Sequence, residues 1–497
     1  MKQQPYIAPS IRRVSQATAN PQRLGRAPVM DAIDGVAVTR LLEAHGSPVF
    51  VFSESKLREK IRGARAAFES VYPDVTFAWS YKTNYLNAIC QVFHQEGSMA
   101  EVVSAFEYEK ARHNGIPGSR IIFNGPWKSP EALRRAVTEG ALIQVDNRDE
   151  ILALARLAEE RNAPIEVGIR VHVDTGTHAV WSKFGFSVDD GEALRMMAWM
   201  QAHTRLTIRG IHCHVGTFML DAGAYATATQ ALVELAMAAE AAGAGPITYL
   251  DLGGGFASHA RLHGQYLPPE QATPGFDDYA KAICGTIKQH WPAGRKLPQL
   301  YLETGRALVD DAGYLVSSVV AVKQRRMHDA NAALAAYGKG GTSPAAALGA
   351  YGKGGVANGL GAARRNAVVL DAGINILYTT AWYQPSIYPA AMALNGMQPT
   401  TVYGCLCMNI DVIREEASLP DLKIGDAVVI HPVGAYNITQ SMQFIAYRPA
   451  VVMIDPQHRV HLIRRREALA DVQGPEVVPE YLARSNNTTA AQSPPAP

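Results

Sequence analysis

Lys82 closes an apolar run in WSYKTN (Trp79 to Asn84). A lysine there either reaches solvent or has its charged form disfavoured by desolvation, and a depressed pKa makes its amine a nucleophile. A second feature is LDLGGGF (Leu250 to Phe256), in which Gly253, Gly254 and Gly255 follow a strand-like run. Such amides, free of side chains, suit the close approach of a phosphate, although a plain tight turn uses the same residues. The run is neither GxGxxG nor a P-loop. ETGR (Glu303 to Arg306) adds Gly305 and a cation on another anion-compatible loop, with Glu303 as an inward carboxylate. HCHVG (His212 to Gly216) contributes a flat ring at His214.

A nucleophilic lysine, an anion cradle, an acidic partner for a ring nitrogen and a ring to stack are the parts of a pyridoxal phosphate site. HCHVG has a competing reading as a metal pair, since His212 and His214 share one strand face. That reading needs further histidines on other strands, and the strand ends show none, so no metal is expected. His212 then reads as a satisfied interior histidine.

These residues must be carried by regular elements. Eight short runs alternate with stretches of helical period between Val49 and Arg306: FAWSY, MAEVV, RIIFNG, LIQVD, EVGIRV, IRGIHCHVG, ITYLDLGG and QLYLETG. The stretches Pro130 to Gly140 and Arg148 to Asn162 carry apolar residues at three-to-four spacing and end at Gly or Asn. Eight strand–helix units in about 250 residues predict a closed parallel barrel, with an open doubly wound sheet as the alternative. A barrel gathers its chemistry at the C-terminal ends of its strands. Lys82, Glu101, Asn124, Asp146, Arg170, His214, Gly253 to Gly255 and Glu303 to Arg306 all fall at or just after such ends. Runs at Gly313 to Lys323, Ala367 to Gly373, Asp426 to Tyr436 and Tyr447 to Ile454 predict a second domain of antiparallel strands. The expected division is a tail at 1–28, a barrel at 49–310, a β domain from 29–48 and 311–470, and a tail at 471–497.

Between 331 and 361 a fourteen-residue unit repeats in tandem, AALAAYGKGGTSPA (Ala332 to Ala345) and AALGAYGKGGVANG (Ala346 to Gly359). It lacks P-loop spacing and reads as a mobile surface insertion, too poor in large apolar residues to offset ordering entropy. The chain of 497 residues carries 47 basic and 45 acidic residues, so no global field attracts nucleic acid. Its 47% hydrophobic share is ample for a core, yet no apolar stretch approaches the roughly 18 residues of a membrane helix. No secretory signal is legible at the start, and five scattered cysteines lack metal-ligand spacing. A soluble protein of a reducing, cytoplasmic compartment is expected.

From about Val29 to Pro449, the insertion apart, the chain resembles the fold-type III pyridoxal phosphate decarboxylases, the group of diaminopimelate and ornithine decarboxylases. The resemblance implies an alanine-racemase-like (β/α)8 TIM barrel with a C-terminal all-β domain, in a homodimer with shared active sites. It implies that Lys82 forms the internal aldimine, Glu303 bonds the pyridine nitrogen and His214 stacks on the ring. Thr217, Gly253, Gly254 and Gly255 are implied to hold the phosphate with Gly305, Arg306 and Tyr436 of GAYN, while Glu101 and Arg170 match polar positions near the cofactor. Cys407, in GCLCMNID (Gly404 to Asp411), matches the cysteine that reaches the partner's site and reprotonates the α-carbon.

The residues implied to read the substrate depart from the familiar members. Met408 stands where an acidic residue is expected, and Thr379, in DAGINILYTTAWY (Asp371 to Tyr383), replaces an arginine. Losing those charges argues against both a distal ammonium and a distal carboxylate. The stretch GAYNITQSMQFIAYRP (Gly434 to Pro449) and CMNID look similar to the decarboxylases of citrate-based siderophore assembly, which act on a citryl-conjugated diamino acid. Tyr383, Asn409, Asn437 and Gln440 are then candidate substrate contacts, or turn and β-domain hydrogen-bonders. Three alternatives stay open: a diaminopimelate- or ornithine-type decarboxylase, a racemase with a second base opposite Lys82, and a non-catalytic regulator.

Overall fold

The computed structural model describes residues 28–177, 179–326, 364–392 and 396–482. The tandem repeat and both extreme tails lie outside them. Eight parallel strands form the core of the larger domain: β1 (Val75–Ser80), β2 (Met99–Val102), β3 (Ile121–Phe123), β4 (Leu142–Val145), β5 (Ile165–His172), β6 (Leu206–Cys213), β7 (Tyr249–Asp251) and β8 (Gln299–Leu302). β8 pairs with β1 through Leu302 and Phe77, and β5 pairs with β6, so the sheet closes on itself. The closed barrel is the expected one, and the open sheet is ruled out.

Local chemistry explains the helices between the strands. The helix Pro130–Glu139 starts with Pro130 in its first turn and the Ser129 hydroxyl accepting from Ala132 N–H, and it stops at Gly140 in the left-handed region (φ 72°). Arg148–Arg161 is capped by Asn147, whose side chain accepts from Glu150 N–H, and it stops at Asn162 (φ 50°). One continuous apolar core runs from these helices into the barrel wall.

A mostly antiparallel sheet forms the second domain, in the order Val412–Leu419, Gln398–Tyr403, Arg364–Leu370, Gly313–Arg326, Val49–Ser53, Ala450–Ile454 and Val460–Arg464. Two pairings depart from the antiparallel expectation: Arg364–Leu370 runs parallel to Gln398–Tyr403, and Ala450–Ile454 runs parallel to Val49–Ser53. The barrel boundary also moves. Val49–Ser53, expected to open the barrel, lies inside the β-domain sheet with every residue buried. A short run buried on both faces reads alike in either sheet, so pattern alone could not place it. Beyond 471, where only a tail was expected, a short exposed helix, Leu469–Gln473, is tied down by Asp471 and Arg465 at 2.5 Å. Among the described residues no helix is long and apolar enough to cross a membrane.

The domains meet beside the lysine. Asn84 Nδ2 donates to Gly434 O at 3.2 Å, Tyr436 N–H to Thr83 O at 2.8 Å and Thr439 Oγ1 to Lys82 O at 2.8 Å. The GAYN loop of the β domain therefore fixes the turn that carries Lys82.

Candidate active site

Lys82 sits in the single turn Tyr81–Thr83 that follows β1. Its Nζ lies 2.6 Å from Glu101 Oε2, and the side chain keeps 36% exposure. Burial pulls the amine pKa down, but the carboxylates of Glu101 and Glu303 outweigh it and the net shift is upward. The depressed pKa expected from desolvation is thus reversed, because a lysine with an ion-pair partner is stabilised in its charged form. Glu101 is fully buried on β2 and also accepts from Ser80 Oγ at 2.5 Å and Asn124 Nδ2 at 3.2 Å.

Asn124, just past β3, reaches from Glu101 to Glu303, donating to Glu303 Oε1 at 2.5 Å. Glu303 follows β8, and a carboxylate oxygen of its side chain lies within 4.8 Å of one of Asp251, at the end of β7. Burial, then the neighbouring carboxylates, drives Glu303 well above the carboxylate range, and burial raises Asp251 to about 7. Asp251 also accepts from Gln144 Nε2 (3.3 Å) and Gly253 N–H (2.9 Å). His212 Nε2 stands 3.5 Å from Glu303 Oε2, and neither of its ring nitrogens has a hydrogen-bond partner among the described residues. The expectation of a satisfied interior histidine is corrected accordingly. Burial first, then Arg170 and His214, push His212 well below its ordinary pKa, so its ring is neutral. The ligand-type atoms of His212, Asp251 and Glu303 lie within 4.8 Å of one another. Asp251 was missed in the sequence, where it stands two residues before the conspicuous glycines.

His214 leaves β6 with its ring held by Gly254 N–H, which donates to Nδ1 at 3.3 Å. Burial, then Arg170 and Lys82, lower its pKa to about 3. Trp181 lies over it with ring centroids 5.5 Å apart. The glycines are demanded by backbone crowding: a Cβ on Gly254 would stand 2.2 Å from Glu303 O, and one on Gly255 (φ +93°) would stand 2.1 Å from Gly216 O. Tyr225 OH donates to Gly254 O at 2.6 Å, fixing the cradle from behind. The N–H groups of Gly255 and Gly305 have no protein acceptor among the described residues. Arg306 is held by Asp310 at 3.4 Å and stacks on Tyr383 (4.4 Å) and Tyr436 (4.9 Å), with its buried Nε unpartnered among the described residues. Tyr436 adopts φ 65°, an uncommon conformation for a residue with a Cβ and a marker of functional constraint. Thr217 is exposed on the same rim.

Arg170 on β5 packs over Phe184 at 4.4 Å and approaches Asp146 at 3.6 Å. Of the substrate candidates, Thr379 is buried and gives both its N–H (3.1 Å) and its hydroxyl (3.0 Å) to Asn437 Oδ1. Asn437 in turn donates to Val433 O at 3.1 Å. These bonds tie Thr379 and Asn437 together within the β domain. Tyr383 is buried against Phe218 and Arg306. Cys407 and Asn409 are exposed, Met408 is partly so, and Gln440 is exposed. Their loop is organised by Asp411, another residue missed in the sequence, whose carboxylate accepts from Leu406 N–H (2.7 Å) and Ile374 N–H (2.8 Å).

Lysine, paired acids, a neutral ring and unpartnered loop amides thus meet at one barrel mouth. The sequence profile described as "Pyridoxal-dependent decarboxylase, pyridoxal binding domain" matches residues 55–310. The chain belongs to this family. It is 30% identical over 462 residues to the diaminopimelate decarboxylase of Actinosynnema pretiosum, covering 90% of this chain and 92% of that protein. It is 26% identical over 469 residues to that of Archaeoglobus fulgidus, covering 90% and 97%. The crystal structure of the Methanocaldococcus jannaschii diaminopimelate decarboxylase with L-lysine superposes with a TM-score of 0.76 at 25% identity, over 92% of this chain and 99% of that one. The protein is therefore a fold-type III, pyridoxal phosphate-dependent amino-acid decarboxylase, a carboxy-lyase on an alanine-racemase-like barrel.

Proposed function

We propose that this decarboxylase removes the α-carboxylate of an amino acid whose far end is neither a free ammonium nor a lone carboxylate, a citryl-conjugated diamino acid of siderophore assembly being the candidate. The observation that carries the reading is Thr379, whose hydroxyl is consumed by Asn437 and supplies no charge. The uncharged Met408 supports it from the neighbouring loop, which Asp411 ties to Ile374 N–H. Diaminopimelate itself is the second reading, favoured by the names of the relatives.

The residues fit the cofactor: two loop N–H groups without protein acceptors face a rim that carries a cation, beside a buried acid and a neutral imidazole. Bound pyridoxal phosphate supplies a conjugated sink for the electron pair left when carbon dioxide departs. Lys82 is the anchoring amine, and Glu101, 2.6 Å away, is the acceptor for the proton it must lose before it can act as a nucleophile. Glu303 holds a proton at the ring nitrogen, and His214 offers an uncharged face to the ring. Gly253, Gly254, Gly255, Gly305, Thr217, Arg306 and Tyr436 take the phosphate, and Arg170 orients the polar side of the ring. Cys407, exposed in this chain, delivers the α-proton across a homodimer contact as general acid. All five cysteines are unpaired, which fits a reducing, cytoplasmic setting.

Carbon dioxide release tests the reading with meso-diaminopimelate, L-lysine, L-ornithine and citryl-diamino acids as substrates. Release fastest from a citryl conjugate is expected. Fastest release from diaminopimelate would replace this substrate assignment, and inversion of configuration without gas would replace decarboxylation by racemisation.

A further inference from the structure

The floor of the site contains more acid than the proposed chemistry uses. One carboxylate suffices to hold a proton on a ring nitrogen, yet two, Glu303 and Asp251, lie with carboxylate oxygens within 4.8 Å of each other, 5% and 0% exposed. Adjacent buried carboxylates cannot both ionise without a large electrostatic penalty, so the pair retains a proton. Among the described residues no cation pairs with Asp251 directly. Its partners are Glu303, Gln144 Nε2 and Gly253 N–H. Gln144 is itself oriented by Tyr249, whose hydroxyl donates to Gln144 Oε1 at 3.3 Å. That orientation points the amide NH2 at Asp251 Oδ2, so each carboxyl oxygen of Asp251 already accepts one hydrogen bond, and Glu303 lies within 4.8 Å.

We propose that Asp251 is a positioning acid: in the working enzyme it is a neutral carboxylic acid that donates its hydrogen bond to the ionised Glu303. The device resembles in principle a carboxylic acid kept neutral by an apolar site so that it can donate. Before the cofactor docks, Glu303 carries a proton. Beside a bound ring nitrogen Glu303 would give up that proton and be the anionic partner, and it would then draw a proton from solvent onto Asp251 whenever Asp251 is ionised. The titratable groups facing Asp251 are Glu303 on the end of β8, Glu101 on β2, His212 and Cys213 on β6, Tyr249 on β7 and Tyr301 on β8, with Lys82 beyond Glu101. Burial holds both tyrosines and the Cys213 thiol above their ordinary range, and the His212 ring is neutral, so Asp251 is the group that titrates near neutrality.

This inference rests on Glu303 being the ring-nitrogen partner, and the test separates the two. Full-length protein stripped of cofactor is titrated with pyridoxal 5'-phosphate in buffers of different ionisation enthalpy, giving affinity and protons exchanged. Asp251→Asn is a permanently neutral donor of the same shape. It is expected to bind the cofactor within a few-fold of wild type, but to take up about one proton fewer at pH 8 and no fewer at pH 6. Asp251→Ala, checked for folding by circular dichroism, is expected to bind roughly tenfold or more weakly. Glu303→Gln binding like wild type would overturn the assignment of Glu303. With Glu303→Gln impaired, equal proton uptake by wild type and Asp251→Asn would overturn the role of Asp251 alone. Stoichiometric divalent metal in the purified protein would also overturn it, since His212, Asp251 and Glu303 would then be ligands.

Discussion

Gly254→Ala isolates a steric effect, because Gly254 does not need the left-handed conformation of its neighbours Gly253 and Gly255. The new methyl would stand 2.2 Å from Glu303 O and 3.1 Å from Glu303 C. Ordinary contact requires the two loops to part by about 1 Å. Neither side moves freely: Glu303 N–H donates to Gly253 O at 2.6 Å, Tyr225 OH to Gly254 O at 2.6 Å, and Gly254 N–H to His214 Nδ1 at 3.3 Å. Overpacking of this kind costs about 1–3 kcal/mol. A shift of about 1 Å in Glu303 lowers turnover roughly a hundredfold. Urea unfolding, cofactor titration and initial rates of carbon dioxide release read the three consequences. Gly285→Ala is the matched control: it lies inside the helix Phe276–His290 with nothing within 4 Å, and it should stabilise by about 0.5–1 kcal/mol. A Gly254→Ala protein with wild-type stability and cofactor affinity would refute the crowding argument.

Three further outcomes are expected. Asp311 accepts from Lys60 Nζ and pairs with His259 Nδ1, each at 2.7 Å; burial opposes its ionisation, but these partners win and hold its carboxyl below the ordinary range. A depressed carboxyl stabilises the fold above its unfolded pKa of about 3.9 and loses that contribution as pH falls through its folded pKa. Asp311→Asn should therefore cost about 1–3 kcal/mol at pH 7, measured by denaturant unfolding, with the gap to wild type closing in strong acid. Lys128, 6% exposed, meets Glu150 at 2.6 Å and donates to Gln144 O at 2.9 Å; Lys128→Met alone should cost about 3–5 kcal/mol by stranding Glu150, and adding Glu150→Leu should recover much of it. Cys407→Ala should slow turnover more than it weakens cofactor binding, and equal losses in both would make the thiol a structural group.

The barrel was legible because each strand is a short apolar run and each connecting helix announces its ends, as Ser129 with Pro130 and Gly140 do. Lys82, Glu101, Asn124, Arg170, His214 and Glu303 were legible as polar residues at strand ends, where a barrel opens its mouth. Partnership was not legible. Whether Lys82 is desolvated or paired depends on Glu101, nineteen residues away, and only the β1–β2 pairing of Ser80 with Glu101 brings them together. Asp251 was hidden for the same reason, since its meaning comes from Glu303 on the neighbouring strand. The bond of Thr379 to Asn437, 58 positions on, was hidden in the same way. Val49–Ser53 carries no mark that distinguishes one sheet from another.

The central claim is that Lys82 is the amine to which the coenzyme is covalently attached. Borohydride reduction of the purified, coenzyme-loaded protein, followed by peptide mass spectrometry, examines it directly. A phosphopyridoxyl group on the peptide containing Lys82, and none in Lys82→Ala, is the predicted result. Modification of a different lysine, or an unmodified Lys82 in fully loaded protein, would contradict it.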